Sequence, residues 1–110
     1  MKKTQISLRP DAGAAVLEYL TSVQAHIFQS DSSAWDKLTA HVLAKPMQRI
    51  HTKLLIRQDF KIKLNEAEVL ALSIVLAKYP YWGNDPYARN SILMLQMELP
   101  AIPQTSLFTS

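Results

Sequence analysis

The sequence predicts a mostly α domain (α+β) of four helices and two short strands that pair, in the order β-α-α-β-α-α. Three observations carry this. Two segments, about 4–8 and 59–64, alternate polar and apolar residues with the period of a half-buried strand. Four longer segments repeat apolar residues at spacings of three and four. Each strand runs directly into a helix-start signal.

In the first strand Ile6 and Leu8 share one face and Gln5 and Ser7 the other. Pro10 and Asp11 then open a helix over 11–29, in which Val16, Leu20, Val23 and Ile27 form one apolar stripe. The polar run from Gln29 to Ser33 is a turn, and Ser33 with Asp36 three residues on marks the start of a second helix. Two apolar stripes are expected on it: Trp35, Leu38 and Val42 before Pro46, then Met47, Ile50 and Leu54 after it. Proline cannot donate to the helical ladder and crowds the preceding turn, so a kink or break is expected at Lys45-Pro46.

Phe60, Ile62 and Leu64 alternate with Lys61 and Lys63, giving a second strand with a basic outer face. Asn65 followed by Glu68 has the spacing of a capping box, and it opens a helix over 65–79 that is apolar around most of its circumference and is expected at the centre of the fold. After the Tyr79–Asn84 loop, Asp85-Pro86 places a capping residue before a proline, and Ala88, Ile92, Leu95 and Leu99 continue at helical spacing until Pro100. One globular domain is expected over 1–99, with a Pro-containing tail over 100–110 that includes the apolar pair Leu107-Phe108. The strand-helix-helix order occurs twice, so a duplication is one reading of the chain.

Composition excludes several classes of function. With no cysteine there is no disulfide, thiolate zinc site, iron–sulfur ligation or cysteine nucleophile. The two glycines, Gly13 and Gly83, rule out glycine-rich phosphate loops. His26, His41 and His51 are dispersed, with no pair at the spacing that offers two ligands on one helical face. No cofactor and no catalytic residue is therefore expected. No apolar run approaches the ~20 residues that span a bilayer, and no export signal precedes the first strand, so the expected location is cytoplasmic and no membrane partner is foreseen.

Charge is the one uneven feature. Residues 37–58 contain Lys37, Lys45, Arg49, Lys53 and Arg57 with no acid, and the segments on either side each carry a net −1, so the +3 of the whole chain is local to this stretch. Lys45, Arg49, Lys53 and Arg57 are spaced by four and stack along one row, where like charges cost a few tenths of a kcal/mol per pair. A solvated face is the plain explanation. An acidic surface or a phosphate backbone would remove the repulsion, and Lys61 and Lys63 would extend such a site. A second candidate site is the aromatic group Tyr79, Tyr81, Trp82 and Tyr87, which also suits a structural plug at the end of a helical core.

A strand followed by two helices resembles the ribbon-helix-helix repressors over residues 2–45. That resemblance implies a ribbon whose Lys3, Gln5, Ser7 and Arg9 face bases in the major groove, the ribbon being completed by a second copy. Helix one is longer than that pattern requires, no glycine marks the turn before helix two, and the second half of the chain has no place in the minimal motif. The favoured expectation is a small non-enzymatic protein-interaction module, with self-association as a homodimer; the alternative is a nucleic-acid-binding protein using the basic 45–57 face, and a small enzyme with a dispersed site comes third. A row buried against Asp or Glu marks a structural role for those residues, and a continuous positive surface joining the row to a strand marks nucleic-acid binding.

Overall fold

The structure, a computed structural model, describes residues 4–79, 81 and 83–99. The order is β1 (Thr4–Leu8), α1 (Pro10–Gln29), α2 (Ala34–Leu54), β2 (Phe60–Leu64), α3 (Glu66–Lys78) and α4 (Pro86–Glu98). The expected β-α-α-β-α-α order and the pairing of the two strands both hold. The tail over 100–110 lies outside the described residues.

The strands form an antiparallel pair with Ile6 opposite Ile62, flanked by Gln5–Lys63 and Ser7–Lys61. Alternation sends Ile6, Leu8, Phe60, Ile62 and Leu64 into the core and leaves Gln5, Ser7, Lys61 and Lys63 exposed on the other face. Burying one face against helices is what makes a two-stranded sheet stable, since an isolated hairpin is marginal in water.

Helix starts follow their capping chemistry. The Ser33 hydroxyl accepts the Asp36 amide at 3.2 Å and Asp85 Oδ1 accepts the Tyr87 amide at 3.0 Å. At α3 the capping box is complete: Asn65 Oδ1 accepts the Glu68 amide at 2.8 Å, and Glu68 Oε1 accepts the Asn65 amide at 2.9 Å.

Three expectations are corrected. First, of the kink or break expected at Lys45-Pro46, the break does not occur: α2 runs from Ala34 to Leu54 with Pro46 buried inside it. The missing amide costs one ladder bond, and burial of the ring against the core offsets it. Second, a continuous helix carries a single core stripe, here Ala40, Leu43, Met47 and Ile50, with Leu54 at its end. Trp35 and Leu38 are therefore turned off the core and stand 57% and 56% exposed. They line an apolar groove with Val42 of α2 and Ala67, Leu70 and Ile74 of α3. Third, α3 is not the centre. The longer helices α1 and α2 pack on each other, α2 also holds α3 and β2, and α1 also holds α4. Leu70 and Ile74 of α3 are left half-buried beside the groove.

The two halves are arranged around the ladder. An antiparallel pair has a local two-fold at its centre, here the Ile6–Ile62 pair. The helix packing follows the same exchange: α1 of the first half packs on α4 of the second, and α3 of the second packs on α2 of the first. Among the described residues, the extensive packing of α1 on α2 has no counterpart of similar size between α3 and α4.

Candidate nucleic-acid interface

The exposed face of the ribbon carries Gln5 and Ser7 from β1 and Lys61 and Lys63 from β2. Lys63 stands across from Gln5 and Lys61 across from Ser7. All four side chains donate hydrogen bonds and none is a carboxylate. Lys3 lies outside the described residues, and Arg9 is exposed at the start of α1.

The basic row lies beside this ribbon. Lys45, Gln48, Arg49, Thr52 and Lys53 line a shallow depression of about 370 Å³ on α2. Arg49 joins the two surfaces, because its Nη1 donates to the backbone carbonyl of Lys63 at 3.0 Å. The same Nη1 donates to Glu68 Oε1 at 2.8 Å. Glu68 is 2% exposed and already accepts the Asn65 amide, so one buried carboxylate ties the middle of α2 to the start of α3. Burial opposes ionisation of Glu68. The hydrogen bonds from Arg49 and Asn65 and the positive fields of Arg49 and Lys45 outweigh it, and hold the carboxyl below its ordinary value.

The row of four is thus divided. Arg49 is partly neutralised and structural, while Lys45 and Lys53 are exposed and, among the described residues, form no ion pair. Arg57 is not on the helix at all: α2 ends at Leu54, and Arg57 sits in the turn to β2 with φ 60°, the left-handed region. Spacing by four identified it as a row member because sequence alone did not place the helix end three residues earlier. Gln48 and Thr52, which line the depression, were missed because neutral polar residues on a helix carry no pattern.

The aromatic group sits elsewhere, at the α3–α4 connection. The Tyr19 hydroxyl donates to the Tyr79 carbonyl and, at 3.4 Å, to the Val75 carbonyl, tying α1 to the end of α3. Burial pushes the Tyr19 phenol up to about 12. The Tyr81 hydroxyl accepts the Asp85 amide at 3.3 Å, and Tyr87 is exposed. Trp82 lies outside the described residues. Tyr79 and Tyr81 pack on the core, and Tyr81 and Tyr87 also line a cleft of about 460 Å³ with Asp11, Glu18, Tyr19 and Asp85. Nearby, Lys78 bridges both carboxylate oxygens of the buried Asp36 at 2.8 Å, and this hydrogen bond raises the Lys78 ammonium above its ordinary value.

Among the described residues no group of three His, Asp or Glu side chains is placed to hold a metal ion, and no helix is long and apolar enough to cross a membrane. The ribbon also corrects the minimal ribbon-helix-helix picture: β1 is paired with β2 of its own chain, so a second copy is not needed to complete it. Comparison with known proteins finds no matching family model, no matching curated protein and no matching solved structure.

Proposed function

We propose that this protein binds double-stranded DNA, with the β1–β2 ribbon entering the major groove and the α2 row lying along a phosphate backbone. The observation that carries the reading is the ribbon's outer face: Gln5, Ser7, Lys61 and Lys63 are all exposed, all donors, and free of any carboxylate among them. A two-stranded ribbon has the width of the major groove, and these residue types match the acceptors that bases present there. Lys45 and Lys53 stand beside it on α2 and supply charge with no sequence information, which is the part that phosphate contacts play.

The test is a fluorescence-anisotropy titration of a mixed-sequence duplex with the wild-type protein and with a Lys61→Gln/Lys63→Gln variant. Both lysines are exposed, so the variant keeps the fold. Binding weakened at least tenfold supports the reading; unchanged binding, or none by the wild type, removes it.

A second reading, the protein-interaction module, is favoured by the groove between α2 and α3. Trp35 and Leu38 are more than half exposed there beside Val42, Leu70 and Ile74, a contiguous apolar surface of the kind that marks contact sites. Self-association as a homodimer through this groove predicts a concentration-dependent mass in sedimentation equilibrium that Trp35→Ser abolishes. A mass that stays monomeric at all concentrations excludes self-association.

A further inference from the structure

We infer that the preferred DNA site is non-palindromic, bound by one chain, and carries two guanines two steps apart on one strand. This rests on the duplex-DNA reading above and deepens it. The local two-fold at the Ile6–Ile62 pair exchanges position 5 with position 61 and position 7 with position 63. A symmetric ribbon would repeat the same side chain at each exchanged pair. Here the exchange sets Gln5 against Lys61 and Ser7 against Lys63, so both cations belong to β2 and both neutral donors to β1.

The charge beside the ribbon has the same bias. Arg49 reaches the Lys63 carbonyl, which places the α2 depression with Lys45 and Lys53 on the β2 side. Arg9 is exposed just after β1 and Asp59 just before β2, so the bias lies in the paired positions 5, 7, 61 and 63 and in the α2 row. A ribbon lying along the major groove offers its two strands to opposite DNA strands, so Lys61 and Lys63 face one strand and Gln5 and Ser7 the other.

Residue chemistry then sets the bases. Lysine pairs with guanine O6 and N7, glutamine with adenine N6 and N7, and serine with either. Lys61 and Lys63 are two residues apart on one strand, a separation of about 6.8 Å. That equals about two base steps of about 3.4 Å. The expected site therefore has the form G-x-G along the strand facing β2, with adenine favoured on the opposite strand near Gln5.

The experiment is selection from a randomised duplex library by the full chain, followed by titration of the selected site with wild type, Lys61→Gln and Lys63→Gln. The inference expects a non-palindromic motif with paired guanines on one strand, one protein per duplex, and loss of about tenfold preference for guanine at one position in each single variant. A palindromic motif, two chains per site, or duplex binding with no enriched motif overturns it and leaves the DNA reading standing. Failure to retain any duplex overturns both.

Discussion

The Arg49 guanidinium stands 2.8 Å from Glu68 Oε1, joining the middle of α2 to the first turn of α3 across 19 residues of chain. The carboxylate it meets is also the closing half of the Asn65 capping box, so one buried oxygen serves a helix cap and an interhelical ion pair. Removing either partner leaves the other uncompensated. Arg49→Ala is expected to cost about 1–3 kcal/mol, because Glu68 stays buried without its cation. Asn65→Ala should cost about 1 kcal/mol through the lost cap. Urea unfolding midpoints measure both.

The same pair sets the acid limit of the fold. The Glu68 carboxyl is held below its ordinary value when folded, so its contribution is complete above the usual carboxylate range and is lost as pH falls through the folded value. The wild type should lose stability more steeply than Glu68→Gln between about pH 5 and pH 2. Parallel acid profiles for the two would show that Glu68 is not the responsible group.

Tyr19 sets the corresponding alkaline limit. Its hydroxyl donates to two carbonyls at the end of α3 and its phenol is pushed up to about 12. The unfolded chain releases this proton near pH 10, so the stabilisation is full below that value and is lost as pH rises toward the folded one. Tyr19→Phe should lower stability near neutrality by about 1 kcal/mol and flatten the decline above about pH 10. Thermal unfolding across this range checks both signs.

Arg57 occupies the left-handed region in the turn between α2 and β2, at a cost of about 1–2 kcal/mol for a residue with a Cβ. Arg57→Gly relieves this and gives back part through chain entropy, so a net gain of about 0.5–1 kcal/mol is expected. Arg57→Val should destabilise. A lower melting temperature for the glycine variant would contradict the assigned turn.

Gly13 shows how closely α1 approaches β2. A Cβ there would stand 2.8 Å from Phe60 Cζ and 3.3 Å from Leu54 Cδ2, both held in or against the core. Alanine gains about 1 kcal/mol of helix propensity but forces overpacking of about 1–3 kcal/mol, so Gly13→Ala should be destabilising by about 1 kcal/mol. The same substitution made in a Phe60→Leu background should be neutral or favourable, because the shorter side chain clears the site.

The strands, the four helices and the three caps at Ser33, Asn65 and Asp85 were readable because alternation and capping act over a few residues. What could not be read was set by distant contacts. Pro46 marks a kink or break by local rules, but with its ring buried in the core α2 continues through it without a break, and that continuity leaves Trp35 and Leu38 facing outward. Glu68 was recognised as a cap residue and not as the partner of Arg49, since nothing local joins positions 19 apart. On the site, Lys61 and Lys63 were placed correctly on an outer strand face by period alone, whereas their neighbours across the ladder depended on the register.

The central claim is that the ribbon and the α2 row meet duplex DNA together, and the salt dependence of binding tests it most directly. If Lys45, Lys53, Lys61 and Lys63 all neutralise or displace counterions, a plot of log K against log salt should fall with a slope of roughly −3 to −4. Lys45→Gln/Lys53→Gln should reduce that slope by about 2, and Lys61→Gln/Lys63→Gln should reduce it by a similar amount and also relax sequence preference. A slope near zero for the wild type, or one that none of these substitutions alters, would contradict the account.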